Sequence, residues 1–215
     1  MTDRYQIDSL EELRRVVVTN TPQSDGLAER LYDYLDEFSQ GFISDSPSVF
    51  FGTADDSGHV DVSPKGDAPG FVEILDEKTL LFPERMGNTD ARNLRNILKN
   101  NQVSLLFIIP RTKDVLRVTG TATITKDPVL LARMVSCGKP AQLCIRINVN
   151  ECFFHCGRAF NRSHIWVPDK WPVGEKKYMR NQIKHRNKLS DEGIEEMYEE
   201  ANDFLSQQGE TDGAY

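Results

Sequence analysis

A chain of 215 residues and 24.5 kDa is long enough for one large domain or two small ones, with a sizeable core either way. At 39% apolar and 27% charged it is too ordinary for wholesale disorder, and its longest apolar run, Val103 to Pro110, is too short to span a bilayer. The net charge of −7, the lack of any nucleic-acid motif and an acidic opening without the apolar stretch of a secretory signal predict a cytoplasmic protein that engages neither nucleic acid nor membrane.

In chain order, Leu10, Leu13, Val16 and Val17 recur at a helical period, with Ser9 placed to cap and Glu12 three residues on. A second helix is predicted from Ser24 or Asp25, carrying Leu27, Leu31, Tyr34, Leu35 and Phe38 on one stripe. The pattern then changes. Ser48 to Thr53, Val60 to Ser63, Phe71 to Leu75, Thr79 to Phe82, Val103 to Ile109, Val115 to Thr125 and Ala141 to Phe154 read as strands. Turn-formers join them, among them Asp55-Asp56-Ser57-Gly58 and Pro110-Arg111-Thr112-Lys113. Thr89 or Asp90 opens a helix with Ala91, Leu94, Ile97 and Leu98 on one face, and Asp127-Pro128 opens another. Ile194, Met197, Tyr198, Ala201 and Leu205 mark a C-terminal helix whose many acids form a solvated face. Six to seven short strands joined by tight turns predict a mainly β (α+β) fold, an antiparallel barrel flanked by helices. No interdomain linker is visible, so one domain over residues 1–215 is expected, with N-terminal helices at about 8–40 and the acidic helix at about 190–206.

The net charge hides a split. Residues 190–215 hold nine acids and no Lys or Arg, which leaves 24 acids against 26 basic residues elsewhere. Arg158 to Lys188 carries nine basic residues and only Asp169 and Glu175. A basic block before an acidic one reads as mutual screening, an interface or a site for an anionic ligand. The cysteines are Cys137, Cys144, Cys152 and Cys156. A zinc site would want turn residues between its ligands, whereas Phe153 and Phe154 read as strand, so buried reduced thiols are expected and no metal.

Three segments carry polar chemistry. Asp61 to Asp67 runs from a strand end into a turn, where Ser63 and Lys65 suit a phosphate or a flavin edge. Pro83 to Arg92 passes through a glycine loop into a helix start, a natural anion site that Arg85 or Arg92 would reinforce. His155 to Trp166 gathers two Arg, two His, a Ser and a Trp that could close over a planar anion or pack at a subunit interface.

Taken in order, Asp61-Val62-Ser63-Pro64-Lys65-Gly66-Asp67, Gly87-Asn88 leading to Leu94-Arg95-Asn96-Ile97, Leu116-Arg117-Val118-x-Gly120-x-Ala122, then Phe154-His155-Cys156, Arg162-Ser163 and Trp166, with Trp171-Pro172 and Gln182-Ile183-Lys184, resemble the pyridoxamine 5′-phosphate oxidase-like, FMN-binding split-barrel family over about residues 25–187. The resemblance implies a homodimer of split barrels with FMN at the subunit interface. It places Ser63 and Lys65 against the flavin from one subunit and Arg85 and Asn88 at its phosphate. Arg117, His155, Arg162, Ser163 and Trp166 would face the cofactor from the partner.

Departures from the family pattern narrow the function. The oxidase has an Arg five residues before its flavin-contacting Lys, where this chain has Val60, and it ends in an Arg-Leu-x-Pro signature where this chain has an acidic helix. Arg92 stands where the nearer branch has an Asp and is a candidate substitute in the phosphate grip. These differences speak against vitamin B6 oxidation and leave FMN binding in place. The expectation is an FMN-dependent oxidoreductase of unidentified small-molecule substrate, with His155 the candidate acid or base. The alternatives are a flavin storage module without turnover, and a split barrel holding haem or a deazaflavin.

Overall fold

The computed structural model describes residues 6–16, 31–85, 90–136, 138–174 and 177–207. Asn88, Cys137, the predicted helix onset at Ser24 or Asp25, and the last eight residues lie outside them. Seven strands form one antiparallel sheet: β1 (Ser48–Ala54), β2 (Val60–Gly66), β3 (Glu73–Asp76), β4 (Thr79–Glu84), β5 (Gln102–Ile108), β6 (Asp114–Thr125) and β9 (Leu143–Cys156), in the order β2-β1-β5-β6-β9-β4-β3. A small ribbon of β7 (Val135–Ser136) and β8 (Lys139–Pro140) follows a short helix, α4 (Pro128–Arg133), which opens on the expected Asp127 cap with Pro128 at its start.

The sheet curls onto itself. Phe51 of β1 and Phe82 of β4 are four steps apart in the sheet, yet their rings stack with centroids 5.2 Å apart. Lys65 of β2 reaches Glu84 of β4 at 3.1 Å, so the two rims of the sheet meet. Inside lie Val49, Phe51, Leu80, Phe82, Leu105, Phe107, Leu116, Val118, Ile145 and Ile147, all buried. They alternate along their strands as pleating requires, and their removal from water supplies most of the driving force for the curl. This is the expected antiparallel architecture, with most ends shifted by a residue or two. β2 departs further, staying paired with β1 through Gly66, so Ser63 and Lys65 lie on a strand and not in the predicted turn.

The second helix departs from expectation. Leu31 to Leu35 is not helical; α2 spans only Glu37–Asp45, opened by Asp36, whose side chain accepts from the Ser39 N–H at 2.8 Å. The reason lies in β9. Its partner β4 covers only Leu143–Asn148, leaving the rest of that edge without a ladder. Tyr32 exchanges both backbone hydrogen bonds with Cys152, at 3.0 and 2.7 Å, and the edge demand overrides the apolar stripe. Phe38 is consequently exposed, while Leu35 is buried.

The chain otherwise follows its pattern. α1 (Leu10–Val16) has the Glu12 N–H donating to the Ser9 hydroxyl, but none of its residues is buried. α3 (Arg92–Lys99) buries Ile97 and packs Leu94 against the core as its apolar face predicts, adds Asn93 and Asn96 to the buried side, and leaves Leu98 exposed. After β9 come α5 (Arg158–Ser163), a 3-10 turn (Pro168–Lys170), α6 (Tyr178–Asn187) and α7 (Asp191–Gln207). Arg180 pairs with Glu195 and stacks on Tyr198, and Lys184 pairs with Asp191, so the basic and acidic blocks partly screen each other within one helical hairpin. No helix among the described residues is long and apolar enough to cross a membrane.

Candidate functional site

Strand pairing fixes the face of the predicted residues that lie on strands, Ser63, Lys65, Arg117 and His155. Ser63 stands opposite Phe51, Phe51 opposite Leu105, Leu105 opposite Val118 and Val118 opposite Cys152. Directly opposed residues share a face, so Ser63, and with it Asp61 and Lys65, points to the inner side. Pro64, Phe50, Leu106, Arg117 and Phe153 form the matching outer row, with Val115 and His155 one pair further on. Ser63 and Lys65 therefore face opposite to Arg117 and His155, while Arg85, Arg92, Arg162, Ser163 and Trp166 lie off the strands.

The inner group gathers where the rims meet. Lys65 lies between the two Glu84 oxygens at 3.1 and 3.4 Å, and Asn93 of α3 donates to the same carboxylate at 3.2 Å. Arg85 donates to Asp67 at 3.2 Å and to the Met134 carbonyl at 2.7 Å, while the Ser136 hydroxyl reaches Asp67 at 3.2 Å. Arg92 is 3.7 Å from Asp61 and 3.2 Å from Asp90. Asn96 anchors α3 to Thr53 of β1 through a buried hydrogen bond of 2.9 Å. Each predicted inner cation is thus already facing a carboxylate. The start of α3 has no side-chain cap and no acid in its first turn, and it is entered through Ala91 at φ 47°. Sequence reading missed Glu84, Asp67, Asn93 and Asn96, because an acid or amide beside a phosphate site carries no pattern of its own.

The outer group is electrostatically different. Arg117 lies over the Phe153 ring at 5.6 Å, and Phe153 and His155 have centroids 4.4 Å apart. Among the described residues neither Arg117 nor Arg162 meets a carboxylate. Burial, and then the charge of Arg117, hold the His155 imidazole below its usual pKa, so it is neutral at pH 7. Trp166 sits edge-on to Phe160 at 5.7 Å. Arg162 and Ser163 are exposed, and Ser163 spends its hydroxyl on the Phe160 carbonyl at 3.1 Å.

Four buried side-chain polar atoms among the described residues lack a hydrogen-bond partner: Ser63 Oγ, His155 Nε2, Trp166 Nε1 and Glu73 Oε2. Three of them belong to predicted site residues: Ser63 on the inner face, His155 on the outer face, and Trp166 beyond α5. Native proteins leave few such atoms, since each costs about 1–3 kcal/mol. A surface cleft of about 770 Å³ beside the end of α3 and β6 involves none of the predicted residues. The expectation of buried thiols holds for Cys144 and Cys152, whose thiol pKa values burial raises, but not for Cys156, which is exposed at the end of β9. No group of three His, Cys, Asp or Glu side chains among the described residues is arranged to hold a metal.

No curated protein matches the sequence. The chain is similar to several solved structures: HupZ of Group A Streptococcus (20% identity, TM-score 0.44, 55% of this chain and 92% of that one), an FMN-binding protein from Syntrophomonas wolfei (13%, 0.43, 54% and 82%), and the haem storage protein HutZ of Vibrio cholerae (16%, 0.40, 57% and 94%). A family model described as pyridoxamine 5′-phosphate oxidase matches residues 35–156, more than half of the chain. The match runs from the start of α2 to the end of β9 and takes in the whole curled sheet, so the protein belongs to the pyridoxamine 5′-phosphate oxidase family.

Proposed function

We propose that this protein binds FMN and acts as an oxidoreductase, with the flavin held between the inner group of one copy and the outer group of a second. The observation that carries the reading is the set of unpartnered buried atoms at Ser63, His155 and Trp166. A flavin edge offers acceptors for the Ser63 and Trp166 donors, and His155 Nε2 is left for a substrate held against the flavin. The opposite facing of the two groups supports a site completed by a second copy, because one protomer cannot present Ser63 and His155 to the same ligand from one face.

The residues present fit the cofactor unevenly. Ser63 and Trp166 supply neutral donors for a ring edge, while Lys65, Arg85 and Arg92 supply cations for a phosphate that must first compete with Glu84, Asp67, Asp61 and Asp90. When bound, the flavin brings hydride or electron transfer at its isoalloxazine ring. The protein's part is to position it, to exclude water and to hold or move a proton at His155 Nε2, whose neutral state at pH 7 suits either role. The test is an absorption spectrum of purified protein with and without FMN, together with its mass in solution. Bands near 370 and 450 nm from a dimer are expected; a monomer that ignores FMN in equilibrium dialysis would refute the reading.

A second reading, haem ligation by His155, is favoured by the same free and neutral Nε2. A Soret band that His155→Ala abolishes would select it over the flavin.

A further inference from the structure

We propose that Arg117, Phe153 and His155 form a subsite for a substrate carrying a carboxylate on a flat apolar body. The inference rests on the flavin reading above, of which this is the substrate half. Its first support is a contrast of charges. Lys65, Arg85 and Arg92 each face a carboxylate of their own chain, whereas Arg117 faces none among the described residues. Its second support is the seating of the guanidinium. The Phe153 face holds it at 5.6 Å, which leaves its N–H edge for the paired oxygens of a carboxylate.

The neighbours define the rest of the ligand. Leu106 and Phe50 continue the row from Arg117 across the outer face, and Phe50 is 40% exposed, an apolar platform beside an uncompensated cation. Two residues along β9 from Phe153, on the same face, His155 presents a buried Nε2 without a partner. A planar carboxylate would take two N–H bonds from Arg117, meet the imidazole with a second polar atom and lay its ring along the apolar row. A phosphate dianion would gain less, because one cation stands here rather than a cluster.

The test is calorimetric titration of FMN-loaded protein with benzoate and with its neutral isostere benzamide, for wild type, Arg117→Gln and Arg117→Lys. Wild type should prefer benzoate by about tenfold or more, the worth of a charge-assisted bidentate contact. Arg117→Gln should erase the preference, and Arg117→Lys should keep only part of it, lacking the planar fork. If Arg117→Gln does not fold, the partial loss in Arg117→Lys reads the same quantity. Equal affinity for the two probes in wild type, or a preference that survives Arg117→Gln, overturns the subsite. So does a loss of dimer mass in Arg117→Gln with the preference intact, since Arg117 would then pair with a carboxylate of the second copy. Protein that takes up no FMN but still discriminates the probes through Arg117 supports the subsite and sinks the flavin reading. Protein that takes up FMN without discriminating sinks the subsite alone.

Discussion

The longest ladder of the fold, β6 with β9, shifts register between Thr119 and Gly120, and a single methyl group placed there should be badly tolerated. A Cβ at Gly120 would stand 2.1 Å from the Asn148 carbonyl oxygen, 3.0 Å from its carbon and 3.1 Å from the Ile147 methyl. Carbon and oxygen ordinarily approach to about 3.3 Å, so the overlap exceeds an ångström and falls on backbone, which cannot rotate away. The strands must part, giving strain of about 1–3 kcal/mol as in overpacked cores and weakening a ladder hydrogen bond worth about 0.5–1.5 kcal/mol. Gly120→Ala should therefore destabilise by about 2–4 kcal/mol, or about 4–16 °C in Tm for a chain of this size. The control is Gly41→Ala in α2, where nothing lies within 4 Å of the new Cβ. There the same substitution should stabilise by about 0.5–1 kcal/mol through helix propensity and chain entropy. Thermal and urea unfolding followed by circular dichroism measure both. A Gly120→Ala protein with the Tm of wild type would refute the steric reasoning, and with it the closeness of the two strands.

Three further outcomes are expected. Iodoacetamide with peptide mass mapping should modify Cys156 quickly and Cys144 and Cys152 only on unfolding, since the latter two are buried with raised thiol pKa values; rapid labelling of Cys152 would contradict its place beneath α2. His155 sits below the ordinary value of 6.5, through burial first and Arg117 second, so the unfolded chain takes up its proton earlier as pH falls. Its share of stability is present above pH 6.5 and is lost as pH drops from there toward the folded value. Arg117→Gln should raise the His155 pKa in an NMR titration, and a pKa that does not move would remove Arg117 as a cause. Glu84→Gln strips Lys65 of its counterion at a largely buried pair and should destabilise the apoprotein by about 1–3 kcal/mol. If a flavin phosphate takes the carboxylate's place, saturating FMN should raise the Tm of Glu84→Gln by more than that of wild type, and a smaller rise would direct Lys65 away from the phosphate.

Much of the fold was legible because the strands are short, alternating and punctuated by turn residues. Asp55 shows why such punctuation works: its side chain accepts from the Ser57 and His59 N–H groups and closes the β1–β2 turn locally. The failures share a cause. The stripe from Leu31 to Phe38 has a helical period, but the open edge of β9 near Cys152 is invisible in one dimension and its unpaired backbone decided the conformation. In α3 the apolar period grouped Leu98 with Leu94 and Ile97, but only the latter two pack, and the helix also docks through Asn93 and Asn96 onto Glu84 and Thr53, polar contacts that no apolar period signals. Candidate site residues could be named from segments, yet their grouping could not, because face follows from register and register from pairings that span the chain.

Grouping by face is also what gives the two clusters different chemistry. Curling the sheet brings β2 against β4, and the inner side of that seam is where Lys65 and Arg85 meet acids from the opposite rim. These pairs help close the sheet whether or not a ligand is present, so inner cations serve two masters and any phosphate there must displace a carboxylate. On the outer side no second rim arrives. Arg117 consequently keeps its charge uncompensated over Phe153, and that charge joins burial in holding His155 neutral. Closure of the sheet thus consumes positive charge on one face and spares it on the other. The proposed carboxylate subsite rests on this spared charge, beside the unpartnered Nε2 of His155.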